Sequence, residues 1–394
     1  MKNIGTVVRG IRTPIIKEGD DLAKVVVDSL LEASKEAKFD FNDKDVVAIT
    51  EAVVGIASGN YATIDDIALD VKNKFKTNHI GIVFPILSRN RFAVCLKAFA
   101  KAMDKITMLL SYPSDEVGND ILDTEKLEKL EINPYSDVLT EEDYKKNFGD
   151  FKHIFTGVNM VDFYRDVCKE ENCEINFVFA NHPEEILKYE KDVLACDIHT
   201  REKTKKKLKK AGANIVLGMD DILNESVNGS GYNTKYGLLG TNRATEEKVK
   251  LFPNDEKLVY DVQKILKEKT GKTIEVMIYG DGAFKDPVGK IWELADPVVS
   301  PSYTKGLEGS PNELKLKYLS DNKFANLRGE ELRKAIKKEI KEKDKSLKGK
   351  IETQGTTPRR YTDLLGSLCD LTSGSGDKGT PVVLVQNYFT NYAD

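Results

Sequence analysis

The chain has 394 residues, more than one ordinary core holds and enough for two domains. Hydrophobic residues at 40% and charged residues at 31% mark a soluble globular chain, and a formal net charge of −4 excludes a global field for nucleic acid or an anionic membrane. No apolar run approaches the ~20 residues of a membrane span, and Met1-Lys2-Asn3-Ile4-Gly5 lacks the apolar core of a signal peptide, so a cytoplasmic protein is expected.

The five cysteines (Cys95, Cys168, Cys173, Cys196, Cys369) are scattered and form no CxxC pair, which excludes a disulfide framework and a thiolate zinc site. None of the four histidines (His79, His153, His182, His199) pairs with another at ligand spacing. Any metal is therefore expected on oxygen ligands, which points to magnesium or manganese.

In chain order, residues 20–35 predict a helix, with Leu22, Val25, Val26, Leu30 and Leu31 on one face and Asp20 or Asp21 as cap. Asp45–Thr50 reads as a buried strand that Glu51–Gly59 continues into the small-residue turn Ala57-Ser58-Gly59. Ile80–Ile86 reads as a strand, Phe92–Met103 as a helix and Ile106–Tyr112 as a strand. An acidic, lysine-studded stretch covers residues 114–150. Then come strands at Phe177–Phe179 and Ala195–Ile198, a basic helix at Arg201–Ala211 and a strand at Asn214–Leu217. This alternation predicts an α/β domain with a mainly parallel sheet, inserted at residues 76–231 into a discontinuous domain of residues 1–75 and 232–394. Beyond it, Tyr236–Leu239 reads as a short strand, Lys257–Lys269 as a helix and Ile274–Tyr279 as a strand. Residues 328–350 form a lysine-rich helical run, and Val382–Gln386 a last apolar strand. Glu339, Glu342 and Asp344 interleave with the lysines of that run, which reads as a solvated face rather than a nucleic-acid patch.

The most informative stretch follows the strand ending at Tyr279. Gly280-Asp281-Gly282-Ala283-Phe284-Lys285-Asp286 places two carboxylates, a lysine and two glycines at a strand end. It is also a good hairpin signal. A divalent ion on phosphates needs one or two carboxylates, with cations to neutralise the remaining charge. Ile16–Ala23, with Gly19 and Asp20, reads either as a capped helix start or as free N–H groups presented to an anion. The loop Ser373–Gly379, with Gly376 and Asp377, is loose enough to approach phosphate and serves equally as a linker. Gly240–Glu247 collects Asn242, Arg243 and Glu246 after a strand, as surface loops also do. Arg359-Arg360 reads as a carboxylate clamp or a surface ion pair.

These segments together resemble the coenzyme F-420 gamma-glutamyl ligase family. Ile16–Ala23, Asp45–Thr50 and the turn at Gly59 look like its N-terminal signature. Tyr236–Thr245, Ile278–Lys285 and Gly374–Gln386 look like its later motifs. The resemblance implies a mixed α/β ligase-like core, usually a homodimer. It also implies a ligase that uses ATP or GTP with Mg²⁺ or Mn²⁺ to attach L-glutamate to an acidic small-molecule acceptor through an amide. By the same resemblance Asp281 and Glu246 match metal-ligating positions, with Asp286 a further candidate. Lys285 and Arg243 would face phosphate or carboxylate. Gly19, Asp20, Asn242, Gly376 and Asp377 would line the nucleotide side. Where the family has a Ser-Lys pair the chain has Gly55-Ile56, and a second reading is a relative that binds a nucleotide or acidic metabolite without turnover.

Overall fold

The computed structural model describes residues 3–89, 91–153, 156–254, 256–280, 284–285, 292–293, 299–356, 359–373 and 377–394. In chain order the strands are β1 Val7–Ile11, β2 Val46–Thr50, β3 Tyr61–Thr63, β4 His79–Val83, β5 Lys105–Leu110, β6 Leu139–Thr140, β7 Glu174–Phe179 and β8 Asp192–Ala195. They continue with β9 Ile215–Gly218, β10 Thr241–Arg243, β11 Lys248–Leu251, β12 Glu275–Gly280, β13 Phe284–Lys285, β14 Trp292–Glu293, β15 Val299–Tyr303 and β16 Val382–Gln386. The helices are α1 Leu22–Ala37, α2 Glu51–Ala57, α3 Ile64–Phe75, α4 Phe92–Ala102, α5 Thr124–Lys129, α6 Glu141–Phe148, α7 Met160–Glu170, α8 Arg201–Lys210, α9 Lys257–Thr270, α10 Leu316–Tyr318, α11 Gly329–Glu342 and α12 Tyr361–Thr372. None of the described helices is long and apolar enough to cross a membrane.

Local chemistry sets the boundaries. Asp21 starts α1 by accepting the Lys24 N–H at 3.1 Å, and the αL residue Lys38 ends it. Thr63 with Asp66, and Thr140 with Asp143, form reciprocal capping boxes on α3 and α6. Several sequence expectations shift. Glu51–Ala57 is a helix rather than a strand extension, because small and apolar residues follow Thr50 without β-alternation. Gly237–Gly240 is a 3₁₀ turn rather than a strand, since Gly237 takes φ +47°. The strand expected at Ala195–Ile198 is Asp192–Ala195, so Cys196, Asp197 and Ile198 lie beyond its end. The lysine-rich helix stops at Glu342, and the acidic stretch contains α5, β6 and α6.

The chain divides into two compact units. One comprises Met1–Val53, Asp255–Gly282 and Val298–Asp394; the other Val54–Asn254 and Ala283–Pro297. The first holds a mixed sheet in the order β1-β16-β2-β12-β15. β2 and β12 are parallel, and β16 runs antiparallel to both β1 and β2. The first four residues of β2, Val46–Ile49, and all of β16 are buried, as continuous apolar strands covered on both faces should be. α12 packs Leu365 and Cys369 against one face with Val46, Met277 and Val383.

The second unit holds a sheet in the order β6-β7-β5-β4-β8-β9, parallel except for the edge strand β6. Its larger core joins α3, α4 and α7 to β4, β5 and β7, through Ile67, Phe99, Tyr164, Ile82, Met108 and Phe177. A separate cluster on Val83, Leu109, Ile186 and Leu208 lies under α8. A small antiparallel sheet, β10-β11-β3, belongs to the same unit. All five cysteines are free and buried, and burial raises the Cys95 thiol to about 12, so they are packing groups rather than nucleophiles.

Candidate functional site

The register of the first unit's sheet brings together the strand ends next to three of the segments that the sequence singled out. Ile11 pairs with Val382, Val382 with Ile49, and Ile49 with Ile278. The ends of β1, β2 and β12 and the beginning of β16 therefore share one edge. From that edge the chain runs from β1 toward Gly19 and Asp20, from β2 into Glu51 and from β12 toward Asp281. It arrives at β16 from Asp377. The Thr50 N–H donates to Pro381 O at 3.0 Å, which ties the β2 exit to the β16 entrance.

Each segment is held in place. Gly19 turns with φ +86°, and the Asp20 carboxylate accepts the Lys17 N–H at 2.7 Å. Arg12 Nε donates to Lys378 O at 3.2 Å, next to the exposed Asp377. An added Cβ on Gly10 would stand 3.2 Å from Thr380, so the glycine lets that residue lie close. Ser373 lies beside the buried Tyr279 hydroxyl, whose pKa is raised by burial and only partly lowered by that serine. Ser373 and Lys378 are thus each held by a partner in the first unit. Among the described residues no hydrogen bond joins Asp20 to Asp377.

Asp281, Asp286 and Gly376 lie outside the described residues. Lys285 stands in β13, where its backbone pairs with Trp292. Asn242 and Arg243 lie in β10 of the second unit, pairing with Lys250 and Val249. Arg243 reaches Glu246 at 3.4 Å, and the Glu246 side chain is 85% exposed, so the pair is weakly held. Among the described residues no group of three or more His, Cys, Asp or Glu side chains could hold a metal ion.

Sequence reasoning missed Glu51 and Arg12. Glu51 is buried at 3% exposure and begins α2 at this same sheet edge. A carboxylate directly after an apolar strand was its only signal. Arg12 carried no signal, because its partner is 366 positions away.

A mixed sheet of parallel and antiparallel strands, with helices beside it, makes this an α/β protein. The model of the F420-0:gamma-glutamyl ligase family matches residues 10–387, nearly the whole chain, and the chain belongs to that ligase family. No curated protein sequence matches the chain.

Proposed function

We propose that the protein is a nucleotide- and divalent-metal-dependent carboxylate–amine ligase that adds L-glutamate to an acidic small-molecule acceptor. The family match over residues 10–387 carries this reading. The shared end of the sheet supports part of it, since Gly19, Asp20 and Asp377 lie on segments that join the sheet there, whereas Asn242, Arg243, Glu246 and Lys285 belong to the second unit.

The acceptor carboxylate attacks the γ-phosphorus of ATP or GTP, and the nucleoside diphosphate leaves. The glutamate amine then attacks the acyl-phosphate carbonyl, loses a proton and expels inorganic phosphate. Both steps bring anions together, so neutralisation and orientation dominate the barrier. Lys285 and Arg243 face phosphate or carboxylate in this reading. Gly19, Asp20, Asn242, Gly376 and Asp377 line the nucleotide. Asp281, Glu246 and Asp286 would hold Mg²⁺ or Mn²⁺; an all-carboxylate set suits those hard ions, which supply charge neutralisation when bound. A homodimer is part of the proposal, and sedimentation tests it. Gly55-Ile56 in place of a Ser-Lys pair favours the second reading, a relative that binds without turnover.

Calorimetric titration of ATP and GTP with Mg²⁺ or Mn²⁺ into the wild type and Asp281→Asn tests the site. Metal-dependent binding that the variant loses is expected, followed by glutamate-dependent phosphate release in an acceptor screen. Equal nucleotide binding in both proteins would remove Asp281 from the site. Binding without phosphate release would favour the second reading.

A further inference from the structure

The turn that ends α7 brings two thiols together. The Cys173 N–H donates to Cys168 O at 3.0 Å and the Asn172 N–H to Lys169 O at 3.1 Å, while Asn172 takes φ +60°. This nested pair of bonds around a left-handed residue is a Schellman turn, which sets the side chains of its first and last residues against each other. Such contacts are commonly apolar. Here the two side chains are Cys168 and Cys173.

Their thiols are in hydrogen-bond contact. The Cys173 S–H donates to Glu174 O at 3.5 Å, which leaves its sulfur to accept from Cys168. Contact with Cys173, and then burial, hold the Cys168 thiol far above its ordinary pKa. Access to the two differs. Cys168 is 0% exposed within the large core, whereas Cys173 lines a surface cleft of about 440 Å³ with Arg165, Lys169 and Ile175. Two of the other thiols meet different groups: Cys95 the Thr241 hydroxyl, and Cys196 the Leu194 carbonyl at 3.8 Å.

We propose that Cys168 and Cys173 form a thiol–disulfide exchange site, which closes a bond across the turn by reaction with a low-molecular-weight disulfide. In the closed turn both thiols are packing groups. The helix end itself is accessible, with Lys169, Glu170 and Asn172 exposed, so opening of that single turn presents Cys173. Its thiolate attacks one sulfur of the incoming disulfide. That S–S bond breaks, one small thiolate leaves and takes up the proton that Cys173 gave to water, and a mixed disulfide stays on Cys173. As the turn re-forms, the Cys168 sulfur attacks the Cys173 sulfur. The mixed bond breaks, and the second small thiol leaves with the Cys168 proton. The chain loses two electrons and two protons, and the small disulfide gains them as two thiols. Cys173 immediately precedes β7, so the new bond fastens the end of α7 to the start of that strand. The site lies within the second unit and does not rest on the ligase reading.

Incubation of the full chain with oxidised glutathione, quenched by alkylation and read by thiol count and peptide mass mapping, tests it. Free thiols are expected to fall from five to three, with Cys168 linked to Cys173 and full return on adding dithiothreitol. Closure should be roughly tenfold more favourable in the folded chain than in urea, since the turn holds the sulfurs at short range. Cys168→Ala should instead stop at the mixed disulfide on Cys173; if circular dichroism shows that variant unfolded, the wild-type map alone decides. A wild type that keeps Cys168 and Cys173 reduced, or that stalls at the mixed disulfide on Cys173, would overturn the proposal. So would oxidation spread evenly over Cys95, Cys196 and Cys369, or closure no more favourable in the folded chain than in urea.

Discussion

Arg12 and Lys378 stand near opposite ends of the chain, yet the Arg12 Nε–H donates to the Lys378 carbonyl at 3.2 Å. The contact is exposed, so its share of global stability is small, but it pins one side of the loop that enters β16. Arg12→Ala should lower stability by less than about 1 kcal/mol. Proteolysis or hydrogen exchange of residues 377–379 should nevertheless accelerate. Unchanged local protection would show that the loop is held from its other side.

Glu141 gives the second unit a pH-dependent lock. Its carboxylate meets Arg165 and Lys145, each at 2.5 Å, and accepts the Phe177 N–H at 3.2 Å. Burial alone would raise its pKa, but these donors together lower it below the usual 4.5. A carboxyl with a depressed native pKa stabilises the fold above its unfolded value, and that stability is lost as pH falls through the native one. Glu141→Gln should therefore cost about 1–2 kcal/mol at neutral pH and almost nothing in strong acid. Denaturation midpoints across the acid range would show it; a pH-independent difference would contradict the lock.

Two glycines with positive φ should respond differently to alanine. At Gly237 a Cβ would come within 2.3 Å of Ile222 O and 2.7 Å of Asp220 O, while at Gly212 it would meet nothing within 4 Å. Gly237→Ala should cost roughly 2–4 kcal/mol, from strained backbone and a clash that cannot relax. Gly212→Ala should cost only about 1 kcal/mol, the backbone term alone. Thermal unfolding of the pair separates space from conformation.

Asn60 clips three segments of the second unit together. Its amide donates to the carbonyls of Tyr232, Leu251 and Phe252 at 3.1, 3.2 and 2.9 Å, and its Oδ1 accepts the Tyr232 N–H at 3.0 Å. Asn60→Ala strands those groups and should cost about 2 kcal/mol or more. Asn60→Asp, which keeps shape but faces three carbonyls with a charge, should be at least as damaging. A near-neutral result for either would mean that water replaces the side chain.

Much of the fold was legible in the sequence. The continuous apolar runs around Val46, Met277 and Leu384 announced buried strands, and the spacing of Leu22, Val26 and Leu30 announced α1. Boundaries were harder, because the apolar run Val193-Leu194-Ala195-Cys196 outlasts the ladder that ends at Ala195. Strand order was not legible at all. That β4 stands between β5 and β8 depends on partners distant in sequence, which leave no mark on composition or period. For the same reason Glu116 looked like an ordinary member of an acidic run, although its carboxylate accepts the His199 N–H 83 positions away. The strand end at Gly280 was approached through its glycines, whereas Glu51 passed as a strand extension.

β16 lies between β1 and β2, yet it follows every other strand of that sheet in the sequence. The ribosome therefore releases β1 and β2 long before the strand that must separate them exists. At ~5–20 residues per second, their edges wait for many seconds. The second unit's principal sheet, by contrast, is complete once β9 has emerged. Folding during synthesis thus favours an order: the parallel sheet can close once β9 is out, and the mixed sheet only after β16 has followed.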